Sequence, residues 1–208
     1  MNKVTPPIEF HEGDLPAGLD AGVSVAVDSE TMGLNPNRDR LCLVQLCFAD
    51  GQCHLVRFAQ GSHDAPNLKA LLTDPKVTKI FHFARFDVAM FRKYLGIETA
   101  PLYCTKIASK LVRTYTSSHG LKDLCKELVD VDMSKVQQSS DWGADSLSAA
   151  QMQYAASDVI HLHALREKLD RMLVREGRAA LAQACFTFLP TRVDLDLGGW
   201  SEDDIFAH

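Results

Sequence analysis

The chain has 208 residues, 46% of them hydrophobic and 24% charged, with a formal net charge of −5. That length and apolar content fit one domain with a substantial core that folds without covalent staples. The acidic balance argues against a broad basic nucleic-acid groove but allows a small anionic ligand gripped locally.

The opening stretch MNKVTPPIEFHEGD has neither the basic start nor the apolar run of a secretory signal. No apolar stretch is long enough to span a bilayer, so no membrane association and a cytoplasmic location are expected. From Val23, residues Val23, Val25 and Val27 alternate with Ser24, Ala26 and Asp28, and this β-branched period of two predicts a strand. Asp28 and Glu30 at its end then share a face. Leu41 to Phe48 and Gln52 to Phe58 read as two further strands, and Asp50-Gly51 between them is a tight-turn signal. Three adjacent antiparallel strands are expected. NLKALLTDP reads as a short helix stopped by Pro75, and VTKIFHF as a fourth strand. The spacing of Phe86, Ala89, Met90 and Leu95 predicts a helix ended by Gly96, with Asp87 in its first turn.

LYCT reads as a short fifth strand, followed by helical KIASKLVRTY and HGLKDLCKELVD. From Val131 to Ser146 the chain is polar and irregular, and a loop of that length is usually functional. Ser148 and Gln151 form a capping-box pattern that opens a helix running to Gly177. A final helix, RAALAQACFTFL, is expected to end before Pro190. This divides the chain into a domain over 1–189 and a tail over 190–208 that carries Trp200, Ile205 and Phe206. Cys42, Cys47, Cys53, Cys104, Cys125 and Cys185 are scattered, without Cys-x-x-Cys or matching His spacing, and read as buried thiols.

On the long helix Ala155, Val159, Leu162, Leu165 and Leu169 form an apolar stripe, and Asp158 sits within it. A carboxylate there needs a partner, and a metal ion is one solution. Tyr154, four residues earlier, projects from the same side. Asp28, Glu30, Asp87 and Asp158 can converge, and four hard oxygen donors suit Mg2+ or Mn2+ rather than zinc or copper. Taken singly, Asp28 can also cap a turn, Glu30 be solvated, and Asp87 favour a helix N-terminus. His161 and His163, two apart on a helix, do not face each other as a metal pair.

VDSET with its Asp-x-Glu pair, HFARFDVAMF with His82 and Asp87, and YAASDV with Tyr-x-x-x-Asp resemble the three motifs of the tyrosine-type DEDD 3′–5′ exonucleases, the group containing ribonuclease D. That match spans Val23 to Leu169. YCTKIASKLVRTYTSSHGLKDL, QQSSDWGA and LPTRVDLDLGGWSEDDIFAH extend the resemblance over nearly the whole chain to the short bacterial nanoRNase C group.

The resemblance implies a ribonuclease-H-like α/β fold, here a mixed five-stranded sheet flanked by helices. It also implies two divalent cations on Asp28, Glu30, Asp87 and Asp158, with Tyr154 orienting the attacking water. The implied substrate is a very short RNA, chiefly a dinucleotide, cleaved to 5′-mononucleotides, and the implied assembly is a homo-octamer with the tail docked on a neighbour. Longer ribonuclease D enzymes carry extra helical domains that this sequence lacks, so a long RNA is expected to have little to hold it. Leu34 stands where short-RNA exonucleases place an apolar wedge, with Thr31 beside it. His82, Arg85 and Lys106 are candidates for phosphate contacts, as are Gln138 and Ser140, while Trp142 packs or stacks. The alternatives are a general exonuclease on longer RNA or DNA, and a catalytically silent nucleic-acid-binding module.

Overall fold

The structure is a computed structural model and describes residues 6–134, 136–137 and 139–208. Among these residues six strands make one sheet: β1 (Ile8–Glu12), β2 (Ser24–Thr31), β3 (Leu41–Cys47), β4 (Cys53–Arg57), β5 (Thr78–Phe81) and β6 (Leu102–Cys104). Their order across the sheet is β1-β4-β3-β2-β5-β6. The hairpins β2–β3 and β3–β4 are antiparallel, as their turn chemistry requires, whereas β5 runs parallel to β2, β6 to β5, and β1 to β4. The fold is therefore the expected mixed α/β one, with six strands in place of five.

The extra strand is β1. Its sequence IEFHE has a burial pattern with no apolar period, because it is an edge strand held by the β4 ladder rather than by a buried face.

Among the described residues, seven α-helices flank the sheet: α1 (Pro66–Thr73), α2 (Ala84–Met90), α3 (Thr105–Val112), α4 (Leu121–Val129), α5 (Ala149–Ile160), α6 (Leu162–Arg175) and α7 (Ala179–Leu195). Two π-helical turns extend α2 and α7, over Phe91–Leu95 and Asp196–Trp200. The core lies between helices and sheet, where Val25, Val27, Val44, Leu46, Ile80 and Phe81 are fully buried. All six cysteines are free thiols and five of them are buried. Among the described residues, no helix is long and apolar enough to cross a membrane.

Two helix boundaries differ from expectation. The single helix read over 148–176 is two, because the chain turns at His161 (φ −93°, ψ −8°). The reason is tertiary: α5 packs on β2, β3 and β4, while α6 packs on α3, α4 and β5. The last helix does not stop before Pro190 but runs through it. A proline inside a helix costs about 3 kcal/mol. Leu189 and Val193, buried on either side of it, offset that penalty together with the ion pairs Arg92–Asp194 and Arg85–Asp196. The tail leaves Trp200, Ile205 and Phe206 exposed, with the Phe206 ring 6.3 Å from Phe188.

Candidate active site

Strand β2 carries Asp28 and Glu30 on one face, two residues apart. Helix α5 lies over β2 and β3 and presents Tyr154 and Asp158 one turn apart. Its start is fixed by a complete capping box, Ser148 accepting from the Gln151 amide and Gln151 answering the Ser148 amide. The outcome is that Asp28, Glu30 and Asp158 each bring an oxygen within 4.8 Å of the others. Asp87, in the first turn of α2, stands behind them, almost fully buried, and accepts a 2.6 Å hydrogen bond from Ser29 Oγ. Its carboxyl also meets that of Asp28.

Such crowding is electrostatically unfavourable without a cation. Burial pushes the Asp28 carboxyl up to about 7, against hydrogen bonds from the Ser29 backbone and Gln45. Burial, then the charges of Asp28, Asp158 and Asp87, push Glu30 up to about 10. Asp87 and Asp158 are raised well above the carboxylate range, by burial first and by Asp28 second. Four acids that cannot all ionise alone, converging with oxygen donors only, fit hard divalent cations. Burial, then Asp158 and Glu30, raise the Tyr154 phenol, so it stays protonated beside Asp158.

These groups open into a cleft of about 300 Å³ lined by Asp28, Tyr154 and Asp158, together with His82, Phe83, Lys106 and Lys122. A larger cavity of about 400 Å³ between Leu15 and α1 includes none of the carboxylates of the cluster. Glu9, His11 and His54 also bring ligand atoms within 4.8 Å of one another. There, however, His11 Nε2 and His54 Nδ1 are 3.0 Å apart with ring centroids 5.3 Å apart and planes within 15°. The nitrogens thus face each other head-on, the arrangement of a shared proton rather than of a held ion.

The remaining predicted residues divide. His82 and Lys106 line the cleft; His82 Nδ1 sits 2.9 Å from Thr105 Oγ1, and burial, then Lys106, lower its imidazole to about 3. His82 is thus neutral, a hydrogen-bonding group and not a cation. Leu34 is 86% exposed on the loop after β2, and Thr31 Oγ1 closes that loop by donating to Gly33 O at 2.5 Å. Arg85 is not brought to the cluster: its guanidinium makes two bonds to Asp196, at 2.5 and 2.7 Å, and one to Ser201 O. Trp142 is buried in an apolar cluster with Cys42, Leu43, Leu55 and Ala155, its ring 6.1 Å from Tyr154, so it packs against the site. Ser140 Oγ bonds Gln137 Oε1, and Gln138 lies outside the described residues.

Sequence reasoning missed Gln45, Ser29, Phe83 and Lys122. Gln45 left a signal, as the one amide in the apolar strand LCLVQLC. It sits opposite Asp28 in the β2–β3 register and donates from Nε2 to Asp28 Oδ2 at 3.1 Å. Phe83 left none, because its peculiarity is a backbone one.

Comparison with known proteins agrees with this geometry. Residues 9–174 match the family described as 3′–5′ exonuclease. Ribonuclease D of Gluconacetobacter diazotrophicus is 38% identical over 154 residues, 74% of this chain and 39% of that protein. Ribonuclease D of Acidiphilium cryptum is 38% identical over 160 residues, 77% of this chain and 40% of that protein. The chain thus spans about two fifths of the length of these relatives. Among solved structures, Brucella melitensis NrnC bound to pGG superposes with a TM-score of 0.94 at 55% identity, covering 98% of this chain and 99% of that one. The same protein with bound Mg2+ gives 0.93 at 54% identity, covering 97% and 99%. With three of its motif carboxylates gathered together and its likeness to NrnC running nearly end to end, the chain belongs to the 3′–5′ exonuclease family, in its NrnC branch.

Proposed function

We propose that this protein is a metal-dependent 3′–5′ exoribonuclease that hydrolyses very short RNAs, chiefly dinucleotides, to 5′-mononucleotides. The observation that carries the reading is the convergence of Asp28, Glu30 and Asp158 at the edge of a cleft that Asp28 and Asp158 line, with Asp87 behind them. In this reading Asp28, Glu30, Asp87 and Asp158 hold two divalent cations, Mg2+ or Mn2+. When bound there, such ions supply Lewis acidity to the attacking water and to the leaving 3′-oxygen.

The chain's own residues do the rest. Tyr154, held protonated, cannot act as a base; its hydroxyl orients the water whose oxygen bonds to phosphorus. The phosphorus–O3′ bond breaks, one proton of the water passes through solvent to the 3′-oxygen, which leaves as a hydroxyl, and the water's oxygen stays on the 5′-phosphate of the released nucleotide. Lys106 and Lys122 bring positive charge to a cleft otherwise dominated by acids, and His82 offers a neutral hydrogen bond to phosphate. Leu34, exposed beside the cleft-forming strand, inserts between bases as an apolar wedge. A cleft this small and a net charge of −5 favour a short substrate, since grip on a long strand depends on many basic phosphate contacts. The pGG bound to Brucella melitensis NrnC supports a short RNA as ligand. The reading includes a homo-oligomer, an octamer by resemblance, with exposed Trp200, Ile205 and Phe206 of the tail at the subunit contact.

A length series tests it: 5′-labelled RNAs from the dinucleotide upward, and matched DNA, incubated with Mg2+ or Mn2+ beside Asp28→Ala. The expected result is rapid loss of the dinucleotide while longer strands persist. A ladder from every length replaces the dinucleotide assignment with a general exonuclease on RNA or DNA. No product from any strand leaves a silent binding module.

A further inference from the structure

The residue just before α2, Phe83, combines three features that core packing does not explain. Its backbone lies in the left-handed region, φ 70° and ψ 46°, and it is one of two residues other than glycine with positive φ among the described residues. A bulky side chain in that region is strained, and such strain persists only where the surroundings impose it. The ring is not buried in exchange, being 43% exposed. It instead lines the same cleft as Asp28, Tyr154 and Asp158, and Lys106 Nζ stands 4.3 Å from the ring centroid.

The geometry points to Phe83 as the platform on which a nucleobase of the bound substrate stacks, with Lys106 held by the ring in reach of the adjoining phosphate. The inference rests on the exonuclease reading above and adds a substrate-binding residue to it. The left-handed backbone turns the aromatic face into the cleft, where a right-handed one would continue α2 and carry the side chain with it. Lys106 over the ring is a cation–π contact, which keeps an ammonium close to an apolar surface without pairing it to an acid. Both elements of a nucleotide thus find a partner within one short segment: the ring for the base, the ammonium for the phosphate. Base–aromatic stacking tolerates every base, so Phe83 contributes affinity for nucleotides in general and little sequence preference.

The test compares Phe83→Asn and Phe83→Trp with the wild type, through KM and kcat on a set of dinucleotides with Mg2+ and through thermal unfolding of the metal-free proteins. Asn tolerates the left-handed conformation, so Phe83→Asn should unfold at or above the wild-type temperature. Its KM should rise about tenfold on all dinucleotides with kcat little changed, the mark of lost uniform binding. Phe83→Trp should keep the wild-type KM. Wild-type KM in Phe83→Asn overturns the inference, as does a KM rise accompanied by lower thermal stability, which marks a packing role. If the wild type itself cleaves nothing, the exonuclease reading falls and this inference with it; if the wild type cleaves and Phe83→Asn is indistinguishable from it, only the inference falls.

Discussion

Gln45 Nε2 donates to Asp28 Oδ2 at 3.1 Å, so a fully buried amide on β3 fixes the orientation of a carboxylate on β2. The amide also meets Glu30, and its own Oε1 is buried without a partner. Leaving a buried acceptor unpaired costs about 1–3 kcal/mol. The amide therefore serves the carboxylates at the expense of the fold.

Replacing Gln45 with Met keeps the length and removes the donors. Affinity for Mn2+ should fall roughly tenfold, as for other groups that orient metal ligands, while the metal-free protein unfolds at the same or a higher temperature. Calorimetric titration with Mn2+ and thermal melts read both; unchanged affinity would show that Asp28 needs no such support.

Asp28→Ala and Asp158→Ala should abolish turnover, because each removes a member of the converging oxygen set. Tyr154→Phe keeps the ring against Trp142 and deletes only the hydroxyl, so kcat should fall roughly a hundredfold with KM little changed. An undiminished kcat in Tyr154→Phe would remove its role in orienting water.

The raised carboxylates make metal-free stability fall with pH. Asp28 has a folded value of about 7 against an ordinary 3.8, so the folded state holds a proton that the unfolded chain has lost between those values. Its contribution is complete below 3.8 and is lost as pH rises through about 7; Glu30 extends the decline towards about 10. Melting temperature without metal should drop across this window, and Mn2+ should raise it most at the alkaline end. A flat metal-free profile would mean that the four acids are less crowded than their positions require.

Arg85 pairs with Asp196, and both side chains keep some contact with solvent, 36% and 11% exposed. Arg85→Ala should therefore leave KM for a dinucleotide unchanged, lower stability by no more than about 1 kcal/mol, and speed proteolytic clipping after Asp196. A KM rise without faster clipping would return Arg85 to the phosphate.

Much of the site was legible because its signals are local. A period of two places Asp28 and Glu30 on one face of β2, and a helical turn places Tyr154 and Asp158 together on α5. Of the three antiparallel strands, β2 followed from its alternation, and β3 and β4 from two apolar runs joined by the Asp50-Gly51 turn. Strand β1 was not legible, because in this short edge strand Phe10 is exposed along with Glu9 and Glu12, so no alternation marks a buried face. Nor was the run of α7 through Pro190, since burial and ion pairs outside the helix outweigh a local rule.

By itself, then, the sequence placed Asp28 with Glu30 and Tyr154 with Asp158 on shared faces and set the α/β order of elements through short-range periodicity, while the family motifs singled out Asp87 as the fourth acid. Only the tertiary structure decided that Gln45 holds Asp28, that Arg85 is taken by Asp196, that Trp142 is buried, and that Phe83 faces the cleft from a left-handed backbone. These are contacts between segments far apart along the chain, or a strained dihedral imposed by them. Both are set by how the helices settle on the sheet, which no local pattern encodes.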